Sequence, residues 1–528
     1  MKTLRYCLFI VAACSLMGCA DMTELNQNPT KATSISSQLL IPTIELAHSQ
    51  NYQNVLRYMI YPGAFCNQWI GGWSMQEYGG KGKKNTAYME RLWTVFYPDI
   101  IKNAVQLVHQ SAGKPDEVNM HAIGRILKVE AFLKLTDYYG DIPYTEAASI
   151  YFDNKVKPRY DKQEDIYMDF LKELREASAE LNPAASVPSS DLYFKGDVNK
   201  WRKFANSLWL RIAMRLIKVN PELAQSEAKA AIEAGLMESN DDIAYVKHED
   251  SRQLEGPGNG YANEFIENRQ YSDFRMTTEL LDALDGDLRV RFIGGSYFTD
   301  KDRTDITDIV YQKNGKYLGA PAQTFIYNSW APTIQVTIDG KNYSVTHQYQ
   351  KMQPSKLLTA ADAPYIHLSY AETEFYRAEA LVRGWNIVSG TAQEHYRKGL
   401  VAAIKQWSLF GATLPPDAEI EAFAEKQSQI VASGGTAALE EIEKQMWILY
   451  IIDPIEAWSN IRRTEMPSKY VMFKNVAAKE NQSNGMRPRR MQYPLEEQKK
   501  NAASWQEAVD RMGGTDDWTN PVWWDVQK

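Results

Sequence analysis

Long stretches of this chain carry apolar residues at steps of three and four. In VNKWRKFANSLWLRIAMRLIKV, Trp201, Phe204, Ala205, Leu208, Ile212 and Leu216 fall on one stripe, the spacing of an amphipathic helix. Just upstream, DKQEDIYMDFLKELREASAEL repeats the pattern at Ile166, Phe170, Leu174 and Ala177. Asp161 stands there in N-cap position with Glu164 three residues on, which marks a helix start. HAIGRILKVEAFLKLTDYYGDIP predicts a helix that stops at Gly140, with Pro143 just beyond. SYAETEFYRAEALVRGW, ending near Gly384, AQEHYRKGLVAAIKQW and LEEIEKQMWILYI add further helices. The fold class expected is mainly α. Helix pairs of this length suggest an irregular tetratricopeptide-like scaffold, without a strict repeat of about 34 residues.

Between roughly 236 and 360 the pattern changes. TIQVTIDGKNYSVTHQY alternates with a period of two and predicts a hairpin turning at Asp339-Gly340. Gly- and Asn-rich runs such as EGPGNGYANEF surround it. No Pro-rich, Ser-rich or strongly charged linker marks a boundary, so residues 38–528 read as one domain with a loop-rich insertion at about 236–360. Loops on a rigid frame are where binding usually resides.

The first residues, MKTLRYCLFIVAACSLMGCADM, have a cationic start and an apolar run from Tyr6 to Met17. That run is shorter than the roughly 20 residues a membrane-spanning helix needs, and it has the layout of a signal peptide. Leu16-Met17-Gly18-Cys19 resembles a bacterial lipobox. The expectation is a signal peptide over 1–18, lipid attachment at Cys19 and a tether over 19–37. Cys66 then has no intramolecular partner, and no disulfide framework is expected. The net charge is −7, and the leader holds two basic and no acidic residues, which leaves the remainder at −9. That balance argues against nucleic acid or an anionic membrane as a partner.

Motifs for chemistry are missing. The chain has no G-x-S-x-G elbow, no H-E-x-x-H, no paired C-x-x-C and no Walker loop. Its seven histidines are scattered singly, and His367, in the apolar PYIHLSYAE, reads as a satisfied core residue. The acidic clusters DGD at 285–287 and TDD at 515–517 could hold a structural calcium or act as a glycosidase pair. Solvation or capping is the plainer reading of both. No catalytic residue, metal or cofactor is expected.

One stretch stands out. CNQWIGGWSMQEYGGKGKK sets Trp69, Trp73 and Tyr78 among Gly71, Gly72, Gly79, Gly80 and Gly82. Glycine at that density argues against a buried helix, and a plain solvated loop would not carry so much aromatic surface. Rings presented on such a loop suit the apolar C–H faces of a sugar, with Asn67, Gln68, Gln76 and Glu77 as rim hydrogen-bonding groups. FIYNSW offers a second such set, Tyr327, Asn328 and Trp330. Trp93, on a helix, reads as core.

Six segments together resemble one family, the SusD/RagB-like outer-membrane lipoproteins of Bacteroidetes, in its SusD-like 2 flavour. They are YYGDIPYTEA (138–147), GDVNKWRKFANSLWLRIAMRL (196–216), AETEFYRAEALVRGW (371–385), EKQMWILYIIDPIEAWSNIRRTEMP (443–467), RRMQYPLEEQKKN (489–501) and PVWWD (521–525). Within them Glu456, Trp458, Arg462 and Arg463 read as architectural, tying the C-terminal helices by buried Arg–carboxylate pairing. The resemblance implies a non-enzymatic lipoprotein that captures oligosaccharides outside the cell and delivers them to a SusC-like TonB-dependent transporter. Alternatives are a peptide-binding lid on a peptide importer, a glycoside hydrolase, or a purely structural lipoprotein.

Overall fold

The computed structural model describes residues 35–49, 59–71, 74–251, 256–262, 274–298, 303–322, 331–473 and 481–526. Helices dominate. The longer ones are α1 (Ser37–His48), α2 (Lys102–Ser111), α3 (Val118–Tyr139), α4 (Gln163–Glu180), α5 (Val198–Arg215) and α6 (Pro221–Glu233). After the insertion come α7 (Tyr370–Val382), α8 (Ala392–Lys405), α9 (Asp417–Ala432), α10 (Gly435–Leu449), α11 (Pro454–Thr464) and α12 (Ala502–Arg511). Consecutive helices pack on each other from α2 through α6 and again from α7 through α10, as a scaffold of helix pairs does.

The helix starts follow local chemistry. Asp197 caps α5 by accepting from the amides of Asn199 and Lys200, and Thr391 and Glu394 form a reciprocal capping box on α8. At α4 the expectation fails. Lys162, not Asp161, is its N-cap residue. Asp161 instead accepts from the backbone amides of Tyr144 and Thr145, and the Gln163 amide donates to Asp141 at 2.8 Å. The cap thus comes from the turn after α3, which the spacing within α4 cannot reveal. Gly140, at φ 89°, ends α3 as expected.

Helix α3 lies at the centre, with nearly every residue buried and apolar positions all round. Its few polar groups therefore need partners. Lys134 pairs with Asp453 at 2.9 Å, while Asp137 meets Arg215 at 3.3 Å and accepts from Trp524 Nε1. One apolar cluster runs from Leu40 to Trp524, and Trp93 belongs to it.

Among the described residues the strands pair only in twos. β1 (Trp69–Ile70) pairs with β3 (Arg275–Met276), β2 (Ala244–Lys247) with β8 (Pro364–Leu368), and β4 (Gly294–Gly295) with β7 (Gln353–Pro354). β5 (Ile334–Ile338) and β6 (Lys341–Val345) form the expected hairpin. Its turn residues Asp339 and Gly340 both have positive φ, 50° and 76°, as a type I′ turn requires. The hairpin covers a small apolar cluster of its own, Ile306, Val310, Val336 and Val345.

The C-terminal motif residues are architectural. Arg463, fully buried, donates to both oxygens of Glu379 at 2.7 and 2.9 Å and to Glu443 at 2.8 Å. Arg215 donates to Glu456 at 2.6 Å, and the Arg462 guanidinium lies 3.8 Å from the Trp458 ring centroid. These pairs join α5, α7, α10 and α11, and the bidentate geometry suits arginine rather than lysine.

Candidate ligand-binding face

The aromatic stretch beginning at Cys66 divides into a welded base and a tip. At the base, Asn67 takes φ 57° and its Nδ2 donates to the carbonyls of Tyr470 and Met472 at 3.0 and 2.9 Å. Gln68 Nε2 donates to the Trp447 carbonyl, and Trp447 Nε1 donates to the Cys66 carbonyl at 2.8 Å. Trp69 is 2% exposed and its Nε1 donates to the Ile451 carbonyl at 3.3 Å. Asn67 and Gln68 are therefore not rim groups, and Trp69 is not an open stacking ring. Pairing of β1 with β3 on one side, and contact with α10 and the segment after α11 on the other, leaves the Trp69 indole no open face.

The glycines also have a different use from the one expected. Met75–Gly80 forms one wide π-type helical turn packed on a similar turn at Met59–Gly63. A Cβ on Gly79 would stand 1.9 Å from the Ile60 carbonyl oxygen and 2.7 Å from Ala64 Cβ. Close approach of two backbones, not looseness, demands glycine there. Gln76 is 6% exposed, within this contact. Glu77 forms ion pairs with Lys81 and Lys83, whose hydrogen bonds and charges hold its carboxyl below the usual range. Tyr78 is half-buried and meets Tyr88 edge-on at 5.3 Å; the Arg91 guanidinium lies 5.0 Å from the Tyr88 ring. Glu77 and Tyr78 are thus the half-buried ones among the described candidates.

Trp73, Tyr327, Asn328 and Trp330 lie outside the described residues. Their flanks do not, and the flanks meet. Ile70, three residues before Trp73, pairs with Arg275 and packs against Ala320. Thr277 bridges Ala320, the Thr278 amide donates to the Ala320 carbonyl at 2.9 Å, and the Ala322 amide donates to Glu279 at 3.1 Å. The chain therefore departs toward Trp73 and toward Tyr327 from neighbouring points on one small β layer.

A groove of about 440 Å³ adjoins this base. Met472, Phe473, Met486 and Arg487 line it, with Met472 and Met486 exposed. Sequence reading missed it, because its walls come from residues 465–473, 485–489 and 519, which no local spacing brings together. The acidic clusters are engaged in ion pairs: Asp287 with Arg289 at 2.6 Å, Asp516 with Arg490, and Asp517 with Lys84 at 2.7 Å. Among the described residues no helix is long and apolar enough to cross a membrane.

Residues 27–494 match the SusD-like 2 family model, described as "Starch-binding associating with outer membrane". The chain belongs to the SusD-like family. Solved structures agree with that membership. This SusD-like chain is 33% identical to a "chitin-binding protein", covering 93% of this chain and 100% of that one at a TM-score of 0.78. It is 30% identical to "Bacteroidetes AC2a SusD-like", with the same coverage and a TM-score of 0.83. A chitin-binding SusD homolog from Flavobacterium johnsoniae shares the fold at 22% identity, TM-score 0.71, over 93% of this chain and 99% of that one. No curated protein matches the chain. The SusD-like family is thus one of binding proteins associated with the outer membrane.

Proposed function

We propose that this SusD-like protein captures a chitin-type oligosaccharide at the cell surface and hands it to a TonB-dependent transporter without chemically altering it. The observation carrying the reading is the convergence of two aromatic-bearing segments at Ile70 and Ala320. An N-acetylglucosamine ring has an apolar C–H face and an acetamide edge. Trp73, Tyr78, Tyr327 and Trp330 supply rings that stack at low entropic cost. Asn328 supplies an amide for the acetamide group. Asn67, Trp69 and Gln76 belong to the buried base of the aromatic stretch. The choice of chitin follows a chitin-binding relative 33% identical over its whole length. Acyl chains at Cys19 would anchor the protein to the outer membrane facing outward, with residues 19–37 as the tether.

The test is calorimetry on the mature chain with chitohexaose, maltohexaose and a panel of peptides. Chitohexaose should bind. Trp73→Ala and Trp330→Ala should each lose about tenfold or more in affinity, the loss expected of a stacking anchor, with the melting temperature unchanged. Binding of peptides but of no glycan would sink the proposal.

A further inference from the structure

Three titratable residues far apart in sequence meet inside the scaffold. His48 closes α1, Glu130 lies midway along α3, and His367 is on β8. All are shut away from solvent, at 0%, 2% and 2% exposure. One ligand atom from each lies within 4.8 Å of the others.

Proton bookkeeping shows what the cluster is built for. Ser49 Oγ lies 2.5 Å from the Glu45 carbonyl oxygen and 2.8 Å from His367 Nε2. A carbonyl only accepts, so the single hydroxyl proton goes to it. His367 Nε2–H must then donate to Ser49 Oγ, which leaves Nδ1 as the ring nitrogen bearing the lone pair. That Nδ1 is 2.7 Å from Glu130 Oε1. Two acceptors at this separation need a positive species beside them. The Tyr193 hydroxyl, 3.0 Å from Nδ1 and 3.3 Å from Glu130 Oε2, has one proton and cannot satisfy both the ring nitrogen and the carboxylate. His48 brings Nδ1 to 3.5 Å from Glu130 Oε2, and neither of its ring nitrogens makes a hydrogen bond among the described residues. Buried ring nitrogens normally find partners.

We propose that His48, Glu130 and His367 form a binding site for one divalent transition-metal ion, zinc being the ion that best suits two imidazoles and a carboxylate in a closed site. Glu130 supplies the negative charge. Ser49 fixes His367 in the ligating tautomer, the outer-shell role that orients metal-bound histidines. The Tyr193 hydroxyl stands beside the cluster as a further oxygen donor. Zinc takes such donors at about 2.0–2.2 Å, so rotations of the imidazoles and the carboxylate must draw them in. The ion would clamp α1, the first described helix, to the central helix α3 and to β8. This site is separate from the glycan face, and its test does not depend on glycan binding.

The full mature chain, purified without chelator from zinc-supplemented cells and, separately, refolded with zinc chloride, should carry about one zinc per chain by elemental analysis. Stripping it with dipicolinate should lower the melting temperature, and re-addition of zinc should restore it. His48→Phe keeps a ring against Phe96, which His48 meets edge-on at 5.6 Å, and should fold without retaining zinc. Ser49→Ala should bind zinc about 10–100-fold more weakly. Wild-type zinc content no higher than that of folded His48→Phe in both preparations would overturn the proposal. So would imidazole nitrogen resonances of stripped protein that do not move on adding zinc, since a proton would then hold the place assigned to the ion. Should His48→Phe fail to fold, the stripped and reloaded wild type decides alone.

Discussion

Trp69 and Trp73 are four residues apart and have opposite prospects. Trp69 is sealed between β3 and the end of α10, so Trp69→Ala should cost about 3–5 kcal/mol in urea unfolding, the usual penalty for emptying a large aromatic site. Any loss of glycan binding there would follow loss of fold, whereas Trp73→Ala should leave stability intact. Gly79→Ala forces a Cβ into the Ile60 carbonyl and should lower the melting temperature by several degrees in a thermal scan. Burial pushes the Cys66 thiol well above its ordinary value. At pH 8 it should stay silent to a thiol reagent in the native state and react only on unfolding. The tryptophan–glycine pattern misassigned Trp69 and Asn67, which are buried. Their partners, residues 275–276 and 470–472, lie hundreds of positions away, and no local spacing encodes them.

Among elements, the join between α7, α10 and α11 rests on Arg463 with two carboxylates. Burial alone would raise Glu379, but the Arg463 and Arg383 guanidiniums hold it below the ordinary carboxylate range. Glu443 is raised above that range by burial, which outweighs the lowering by Arg463, with the nearby Glu379 charge adding to the rise. The signs are opposite. A lowered carboxylate contributes stability above its unfolded value and loses it as pH falls; a raised one costs stability as pH climbs past its unfolded value toward the folded one. Between about pH 2 and pH 8, Glu379→Gln should therefore cost progressively more up to about pH 4.5 and then level off, while Glu443→Gln costs progressively less from about pH 4.5 to about pH 7. Denaturation of both variants across that range checks the pair. Arg463→Met strands both carboxylates and should cost about 3–5 kcal/mol. At this scale much was legible. The stripe on α5, the stop at Gly140 and the Asp339-Gly340 hairpin are local patterns, and the structure has all three. The cap of α4 was not legible, because Asp141 reaches it across a turn that periodicity does not describe.

For the molecule as a whole, periodicity revealed the mainly α scaffold, and six ordered motifs revealed the family. The histidines illustrate what a linear reading leaves out. His48 and His367 are scattered singly along the chain, yet α1 and β8 deliver both to Glu130. Convergence of that kind is a property of topology, and only packing around α3 exposes it.

The weld under the aromatic stretch has a consequence for how this protein can diversify. Cys66 to Ile70 is stitched to Trp447, Ile451, Tyr470 and Met472 by backbone and buried side chains, and Ala320 to Ala322 is moored to Thr278 and Glu279. Whatever sequence follows those moorings inherits a fixed point of departure. Under the function proposed above, exchanging residues 72–73 and 323–330 like tools in a common handle should shift nutrient preference while the frame goes on folding unchanged.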